Sequence, residues 1–399
     1  MDPGIPLIIN RTLRGHPATV KPVRVGITCY PTYGGSGIVA TELGLELANR
    51  GHEVHFISYA NPIRLDPGIP RIHYHEVEVT SYPLFQYPPY CLALASRMEE
   101  VAAHQRLDLL HVHYAIPHSI SAMLAQQMLA RSGRRLPFIT TLHGTDITLV
   151  GSDRSYFAIT KFSIERSDGV TTVSDYLRAR TADFFGITDE IRVIKNFVNC
   201  ETYQPDFQRR ARDTGLGPKG VKRLIHLSNF RPVKRVADCL RILKAVLNET
   251  PAHLVMVGDG PDRAPAEDLA CEMGLEEHVT FLGKQGHVER ILPLAHVLLL
   301  PSEQESFGLA ALEGMACGVP AVATRVGGLP ELVTHGVDGF LEEVGDIEAH
   351  AARVCELLTD EDKFRRMAAA ARNTAETRFC TELIIPQYER YYEQVCGSA

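Results

Sequence analysis

The sequence predicts an α/β protein in which two Rossmann-like, doubly wound parallel-sheet domains face a central cleft. Three observations carry that expectation. The 399 residues are too many for one ordinary core. Short apolar runs of strand length alternate with longer amphipathic runs, as a parallel sheet with crossover helices requires. The alternation stops once, between Asn196 and Lys222, where Pro205, Gly215, Gly217 and Pro218 interrupt it with charges between, and then starts afresh. The expected layout is a loose extension over 1–22, a first domain over 23–198, a linker over 199–220, a second domain over 221–379 and a closing helix over 380–399 that packs back toward the first domain.

Composition excludes several classes. Hydrophobic residues make up 45% and charged residues 22%, the profile of a globular enzyme. A net charge of −7 offers no electrostatic case for nucleic acid or an anionic membrane. No apolar run approaches the roughly 18 residues of a spanning helix. The start carries Arg11, Arg14 and Lys21 without an apolar signal-peptide core. The nine cysteines are scattered and never spaced as Cys-x-x-Cys. That pattern argues against a disulfide framework or a zinc site and for a reducing cytoplasm. The 17 histidines show no His-Glu-x-x-His, so a metal-dependent hydrolase is not expected.

The first domain opens on a strand, Val23 to Cys29, a loop containing Gly34, Gly35, Ser36 and Gly37, and a helix from Ile38 to Arg50. Gly35 to Ala40 matches the dinucleotide pattern G-x-G-x-x-A. Two features count against that reading. The glycines stand five residues beyond the strand, and the second strand, Val54 to Ile57, ends in Ser58-Tyr59-Ala60-Asn61 without the acid that would hold a ribose. The loop fits better as flexible backbone approaching a phosphate or sugar. Strands follow at Ile72–Val79, Leu107–Val112, Phe138–Leu142, Gly169–Val173 and Ile191–Ile194. Two of their ends, His111-Val112-His113-Tyr114 and His143-Gly144-Thr145-Asp146, put polar side chains where a sheet-end ligand lies. Asp146 also reads as an N-cap for a helix from Ile147.

The second domain opens on Leu224 to Asn229, then Phe230-Arg231-Pro232-Val233-Lys234-Arg235 enters a helix. Three cations at a strand-to-helix junction suit a polyanionic ligand, with lysine as a point charge on phosphate. Next come His253–Val257 and its Gly258-Asp259-Gly260-Pro261 turn, then Val279–Gly283. His296–Leu300 leads into Pro301-Ser302-Glu303-Gln304-Glu305-Ser306-Phe307-Gly308-Leu309 and a helix stopped by Gly318 and Pro320. The free N–H groups of Gly308 and Leu309 make an anion site at that helix start, flanked by Glu305 and Glu313. Glu303 reads as a surface residue. Val319–Thr324 precedes a second glycine loop at Gly327-Gly328, and helices at Ile347–Leu358, Asp362–Phe379 and Thr381–Val395 complete the chain.

These motifs, in this order over residues 23–395, resemble the retaining GT-B glycosyltransferases that use nucleotide-diphosphate sugars. Gly26–Pro31, Phe85–Tyr90, His111–His118, Thr140–Asp146 and Ser228–Arg231 resemble the members that open bacillithiol synthesis. The resemblance implies a hexosyltransferase moving N-acetylglucosamine from UDP-GlcNAc to the hydroxyl of L-malate, with no other cofactor. Departing UDP builds charge on its β-phosphate. Lys234, the amides of Gly308 and Leu309, and either Asn229 or Arg231 would stabilise it. By the same resemblance Glu313 holds the ribose and Glu305 the donor sugar; His143, in a loop at a strand end, is placed on the sugar as well, and Lys284 and Gln285, just past a strand end, are placed on the uracil by position alone. Gly34, Gly35, Ser36 and Phe307 complete the donor contacts, while Tyr114 and Thr141 are assigned to the acceptor. No Asp-x-Asp metal motif is read in the sequence and the lysine can replace a divalent cation, so metal independence is expected. Retention then proceeds by front-face attack in an ion pair or by a covalent carboxylate intermediate, the former being favoured because the leaving phosphate can take the acceptor proton.

Three rivals remain at this level. Inositol phosphate as acceptor would want extra first-domain cations, for which Arg64 and Arg71 are available. A UDP-GlcNAc epimerase uses a similar pair of domains and needs no acceptor. A two-lobed sugar-binding protein lacks a reason for phosphate-type loops. A homodimer is left open, to be decided by an exposed apolar patch on the first domain.

Overall fold

A computed structural model of the chain describes residues 21–32, 34–65, 68–79, 87–147, 153–210 and 215–397. The extension up to residue 20, the Tyr/Pro loop over 80–86, with Phe85 and Gln86, and the linker residues 211–214 lie outside the described residues.

The α/β expectation holds. One sheet orders its seven strands β3-β2-β1-β4-β5-β6-β7. These are β1 (Arg24–Thr28), β2 (Glu53–Ser58), β3 (Ile72–Glu76), β4 (Leu109–His113), β5 (Phe138–Leu142), β6 (Gly169–Thr172) and β7 (Arg192–Val193). The other orders six strands β10-β9-β8-β11-β12-β13. They are β8 (Lys222–Ser228), β9 (Ala252–Gly258), β10 (Val279–Gly283), β11 (Val297–Leu300), β12 (Ala321–Thr324) and β13 (Gly339–Glu342). Every strand pair is parallel. Central strands such as β4 and β5 are buried on both faces, which is why they read as unbroken runs rather than alternating ones.

Helices cover both faces. α1 (Gly35–Asn49), α2 (Tyr90–Gln105), α3 (Ile120–Ala130), α4 (Arg154–Glu165) and α5 (Asp175–Phe185) flank the first sheet, and α6 (Phe207–Arg210) lies in the crossing. α7 (Val236–Val246), α8 (Arg263–Glu272), α9 (Leu309–Ala316), α10 (Leu329–Leu332), α11 (Ile347–Thr359) and α12 (Glu361–Arg378) flank the second. α13 (Thr381–Gly397) packs on the first sheet beside α1, sharing a core with Val25, Leu43, Phe56 and Leu109 through Ile385, Tyr388 and Tyr392. Burying each such side chain is worth about 1.5–3 kcal/mol. Glu389 of α13, fully buried, is held by His52 at 3.0 Å and Arg50 at 3.4 Å.

The chain crosses between the sheets twice, and the crossings run side by side. Val198 donates its N–H to Phe379 O (3.0 Å), and Thr381 donates to Val198 O (3.2 Å). Cys200 and Cys380 are joined there as a disulfide. Cysteine spacing alone gave no sign of it, because the partners are 180 residues apart.

Several local expectations are corrected. α1 begins at Gly35, not Ile38, so the glycine loop is itself the first turn of the helix. β13, four residues long, and α4 were not anticipated. Asp153, accepting from Ser155 N–H, caps α4. Asp146 accepts from Ala115 N–H and His143 N–H, and the residues past 147, where the helix expected from Ile147 would run, lie outside the described ones.

Candidate active site

In open parallel sheets a ligand crevice forms at the carboxyl ends of strands where the strand order reverses. Here the reversals fall between β1 and β4 and between β8 and β11. The four loops leaving those strands are the glycine loop, the Tyr114 loop, the cation loop and the Glu loop. The two α-helix starts also meet, since a Cβ on Gly35 would lie 3.8 Å from Leu309 Cδ2.

The cation loop and the Glu loop are stitched together by Glu303 N–H donating to Val233 O at 2.8 Å. Lys234 ends a single tight turn, Pro232–Lys234, and Arg235 at φ 49° turns the chain into α7. That turn aims Lys234 Nζ at Glu305, 2.5 Å from Oε1, where Ser302 Oγ also donates at 2.9 Å. The second glycine loop lies directly on this backbone. A Cβ on Gly327 would sit 1.7 Å from Glu305 O, and Gly327 has φ +57°, so no other residue fits. Gly308, at φ +97°, caps α9 without a side-chain cap bond, so the first-turn N–H groups of that helix, just past Glu305 in the chain, have no side-chain cap.

Glu313 is buried on α9, where Tyr203 donates to its Oε1 at 2.8 Å. Arg64, from the first domain, reaches the same oxygen at 3.5 Å and Glu42 at 3.6 Å. Burial raises the Glu313 pKa, opposed by the Arg64 charge and the Tyr203 hydroxyl. The two carboxylates thus share a design. In each, the recorded bonds fall on Oε1, and Oε2 is the oxygen that can face a ligand.

On the first-domain side, Ser36 Oγ and Tyr114 OH are 2.8 Å apart, which joins the glycine loop to the end of β4. Burial raises the Tyr114 pKa, and the charge of Arg231 from the opposite domain works against that rise. Arg231 itself is exposed, whereas Asn229 Oδ1 is buried without a hydrogen-bond partner among the described residues. His143 Nε2 lies 2.8 Å from His113 Nδ1. Burial lowers the His143 pKa to about 3, so the ring is neutral at physiological pH. Asp146 accepts from Ala115 N–H (2.8 Å) and His143 N–H (3.0 Å), which fixes the two loops to one another.

Burial also raises the Asp146 pKa from 3.8 to about 6. A folded pKa above the unfolded one means the native state holds the proton longer. Stability is then highest below about pH 4 with respect to this group and declines as pH rises through about 6. Asp146→Asn should flatten the Tm-versus-pH curve over that window; an unchanged slope would assign it to other groups.

Two predicted contacts sit elsewhere than expected. Thr141 is fully buried, its hydroxyl 2.6 Å from His111 Nε2 and 2.6 Å from Thr171 Oγ1, so it points into the sheet packing and not into the cleft. The Phe307 ring is buried against Phe379, 5.6 Å between centroids, and leaves only backbone to the cleft. Gln285 donates its amide N–H to Leu282 O (2.7 Å), and exposed Lys284 stands 3.8 Å from Asp259. The one literal Asp-x-Asp of the chain, Asp360-Glu361-Asp362, starts α12, where Asp360 accepts from Lys363 N–H as a cap.

Sequence reasoning missed Arg64 as a donor-side partner and Tyr203 altogether, and it gave no individual part to Ser302 or His113, which it placed only within their loops. It also missed Glu331, whose carboxylate takes Asp175 N–H (3.0 Å), Tyr176 N–H (2.7 Å) and Lys195 Nζ (3.0 Å) across the cleft. Beside it, Ser174 Oγ donates to Ser306 O at 2.6 Å. No spacing rule links residues so far apart; only β6 ending at Thr172, with Ser174 as the cap of α5, hinted at a contact there.

Comparison with known proteins agrees with this geometry. The profile described as "Glycosyltransferase Family 4" matches residues 33–202 and that of "Glycosyl transferases group 1" residues 207–374. N-acetyl-alpha-D-glucosaminyl L-malate synthase of Bacillus anthracis is 48% identical, over 94% of this chain and 97% of the relative. D-inositol 3-phosphate glycosyltransferase of Saccharomonospora viridis is 25% identical over 97% and 99%. Among solved structures, Anabaena HepE in complex with UDP and glucose superposes with a TM-score of 0.79 at 20% identity, covering 93% of this chain and 99% of that one. Among the described residues no helix is long and apolar enough to cross a membrane. With two matched profiles, a near full-length relative and the doubly wound pair of sheets, this chain belongs to the GT-B glycosyltransferase family.

Proposed function

We propose that this glycosyltransferase moves N-acetylglucosamine from UDP-GlcNAc to the hydroxyl of L-malate, retaining the anomeric configuration and using no metal in the chemical step. The observation that carries the reading is the Lys234–Glu305 pair beneath the open start of α9. The name borne by the 48% identical relative supports the choice of donor and acceptor. Lys234 and the first N–H groups of α9 face one anionic centre and stabilise the charge that appears on the β-phosphate as UDP leaves. Arg231, exposed, charged and close enough to influence Tyr114, is a better second contact for the phosphate than the neutral Asn229, whose Oδ1 is buried. Glu305 offers Oε2 to a sugar hydroxyl. Its other oxygen is tied to Lys234, which suits an oriented acceptor better than a nucleophile, and front-face attack with the phosphate receiving the malate proton follows. Glu313 offers Oε2 to the ribose, and Tyr114, hydrogen-bonded to Ser36 of the donor-side glycine loop, meets the acceptor.

An inositol phosphate acceptor is the second reading, because a relative of that name spans almost the whole chain. The engagement of Arg64 with Glu42 and Glu313 counts against it, since that cation is already matched by carboxylates. UDP release measured across L-malate, other hydroxy acids and inositol phosphate should be malate-specific and undiminished by excess chelator. Release with inositol phosphate alone would overturn the acceptor, conversion of UDP-GlcNAc without acceptor would favour an epimerase, and loss of activity restored by Mg2+ would overturn metal independence.

A further inference from the structure

A second constellation stands at the opposite end of the first sheet. Glu53 and His55 alternate along β2, and His73 and His75 along β3, the edge strand. In a strand, residues two apart share a face, and the register pairs His55 with His73 and Ile57 with His75. All four side chains therefore lie on one face, near the amino ends of the strands, whereas the active site lies at the carboxyl ends. His55 is buried, its ring stacked on His73 at 4.6 Å and on His75 at 5.2 Å. His73 Nε2 is 3.0 Å from Glu53 Oε2, and His55 Nδ1 is 2.9 Å from His75 Nε2. One ligand atom from each of Glu53, His55 and His73 lies within 4.8 Å of the other two.

From this geometry we propose that Glu53, His55 and His73 bind a divalent transition-metal ion of the imidazole-preferring kind to which Zn2+ belongs, with His75 as the outer partner that orients His55. Two imidazoles and a carboxylate are a donor set suited to zinc, which takes such ligands at about 2.0–2.2 Å, so ligand atoms on a shared tetrahedral ion lie about 3.3 Å apart. Side-chain rotation on a half-exposed strand edge covers the difference. His75 accepting the Nδ1 proton of His55 leaves Nε2 with its lone pair outward, the arrangement by which a second group fixes a ligand's tautomer. Arg24 and Arg106 line the same concavity and oppose a cation, so binding is weaker than in a closed four-ligand site. The ion ties the edge strand to its neighbour and takes no part in glycosyl transfer. The expectation of a zinc-free chain rested on cysteine spacing and on His-Glu-x-x-His; a Glu-x-His strand beside a His-x-His strand is visible to neither.

The test uses the full chain, tag-free and stripped with chelator. Titration with Zn2+ by calorimetry, and with Co2+ followed by visible absorption, should show about one equivalent bound through nitrogen and oxygen, and Tm should rise with Zn2+. His73→Ala and Glu53→Gln should each abolish binding, and His75→Ala should weaken it about 10–100-fold. Each variant should keep the parent kcat for UDP release, which shows that it folds. Absence of binding to the parent, unchanged binding in the variants, or a thiolate-type Co2+ spectrum would overturn the proposal.

Discussion

Lys234→Ala should lower kcat by about 10²–10³, the scale of removing one preorganised electrostatic stabiliser from a developing oxyanion. The loss should fall on kcat more than on KM, because charge on the β-phosphate is greatest as UDP departs. Two effects add. The cation is lost, and Glu305 Oε1 keeps only Ser302, so the carboxylate meant for the sugar is free to turn. Lys234→Arg should recover little, since a planar fork cannot reproduce a point charge 2.5 Å from one carboxylate oxygen. UDP-release kinetics at saturating donor and acceptor measure this directly; turnover within a few-fold of the parent would take Lys234 out of the chemistry.

Glu313→Ala should act on both affinity and stability. A charge-assisted hydrogen bond is worth about 1.5–3 kcal/mol, so losing the ribose contact proposed for Glu313 should raise KM for UDP-GlcNAc by about 10–150-fold. The same change leaves Arg64 and the Tyr203 hydroxyl facing an emptied space inside the protein. Removing one partner of a buried ion pair costs about 3–5 kcal/mol. The 3.5 Å separation argues for the lower end. That corresponds to a fall in Tm of about 6–12 °C. Arg64→Leu with Glu313→Ala should cost less than the sum of the single changes, giving a coupling of about 1–3 kcal/mol. Strict additivity in Tm and urea melts would show that the pair does not couple the domains.

Why some of this was legible and some was not follows from the residues. The four site loops were readable because each follows a short apolar run and precedes a helix, and strand order then brings them to two switch points. Lys234, Glu305 and Glu313 needed only that logic. Thr141 was misread for a physical reason. β5 is buried on both faces, so its pattern carries no parity and either threonine could face the cleft. Phe307 was misread because an apolar residue in a ligand loop looks the same whether it serves core or substrate. β13 escaped because Gly339-Phe340-Leu341-Glu342 has too few apolar residues to stand out. Arg64, Tyr203 and Glu331 were beyond reach, since their partners are fixed by how the two domains meet and not by anything local.

The twin crossings at Val198 and Cys380 have a mechanical meaning. Two bodies joined by one strap can swivel and twist about it. Here two straps lie abreast, laced by the Val198–Phe379 and Thr381–Val198 hydrogen bonds and by the Cys200–Cys380 link. Bodies bound along such a spine open about one axis and resist torsion, as the covers of a book do. Glu305 stands on one cover and His143 on the other, so the laced straps are what hold these two side chains against twisting relative to one another.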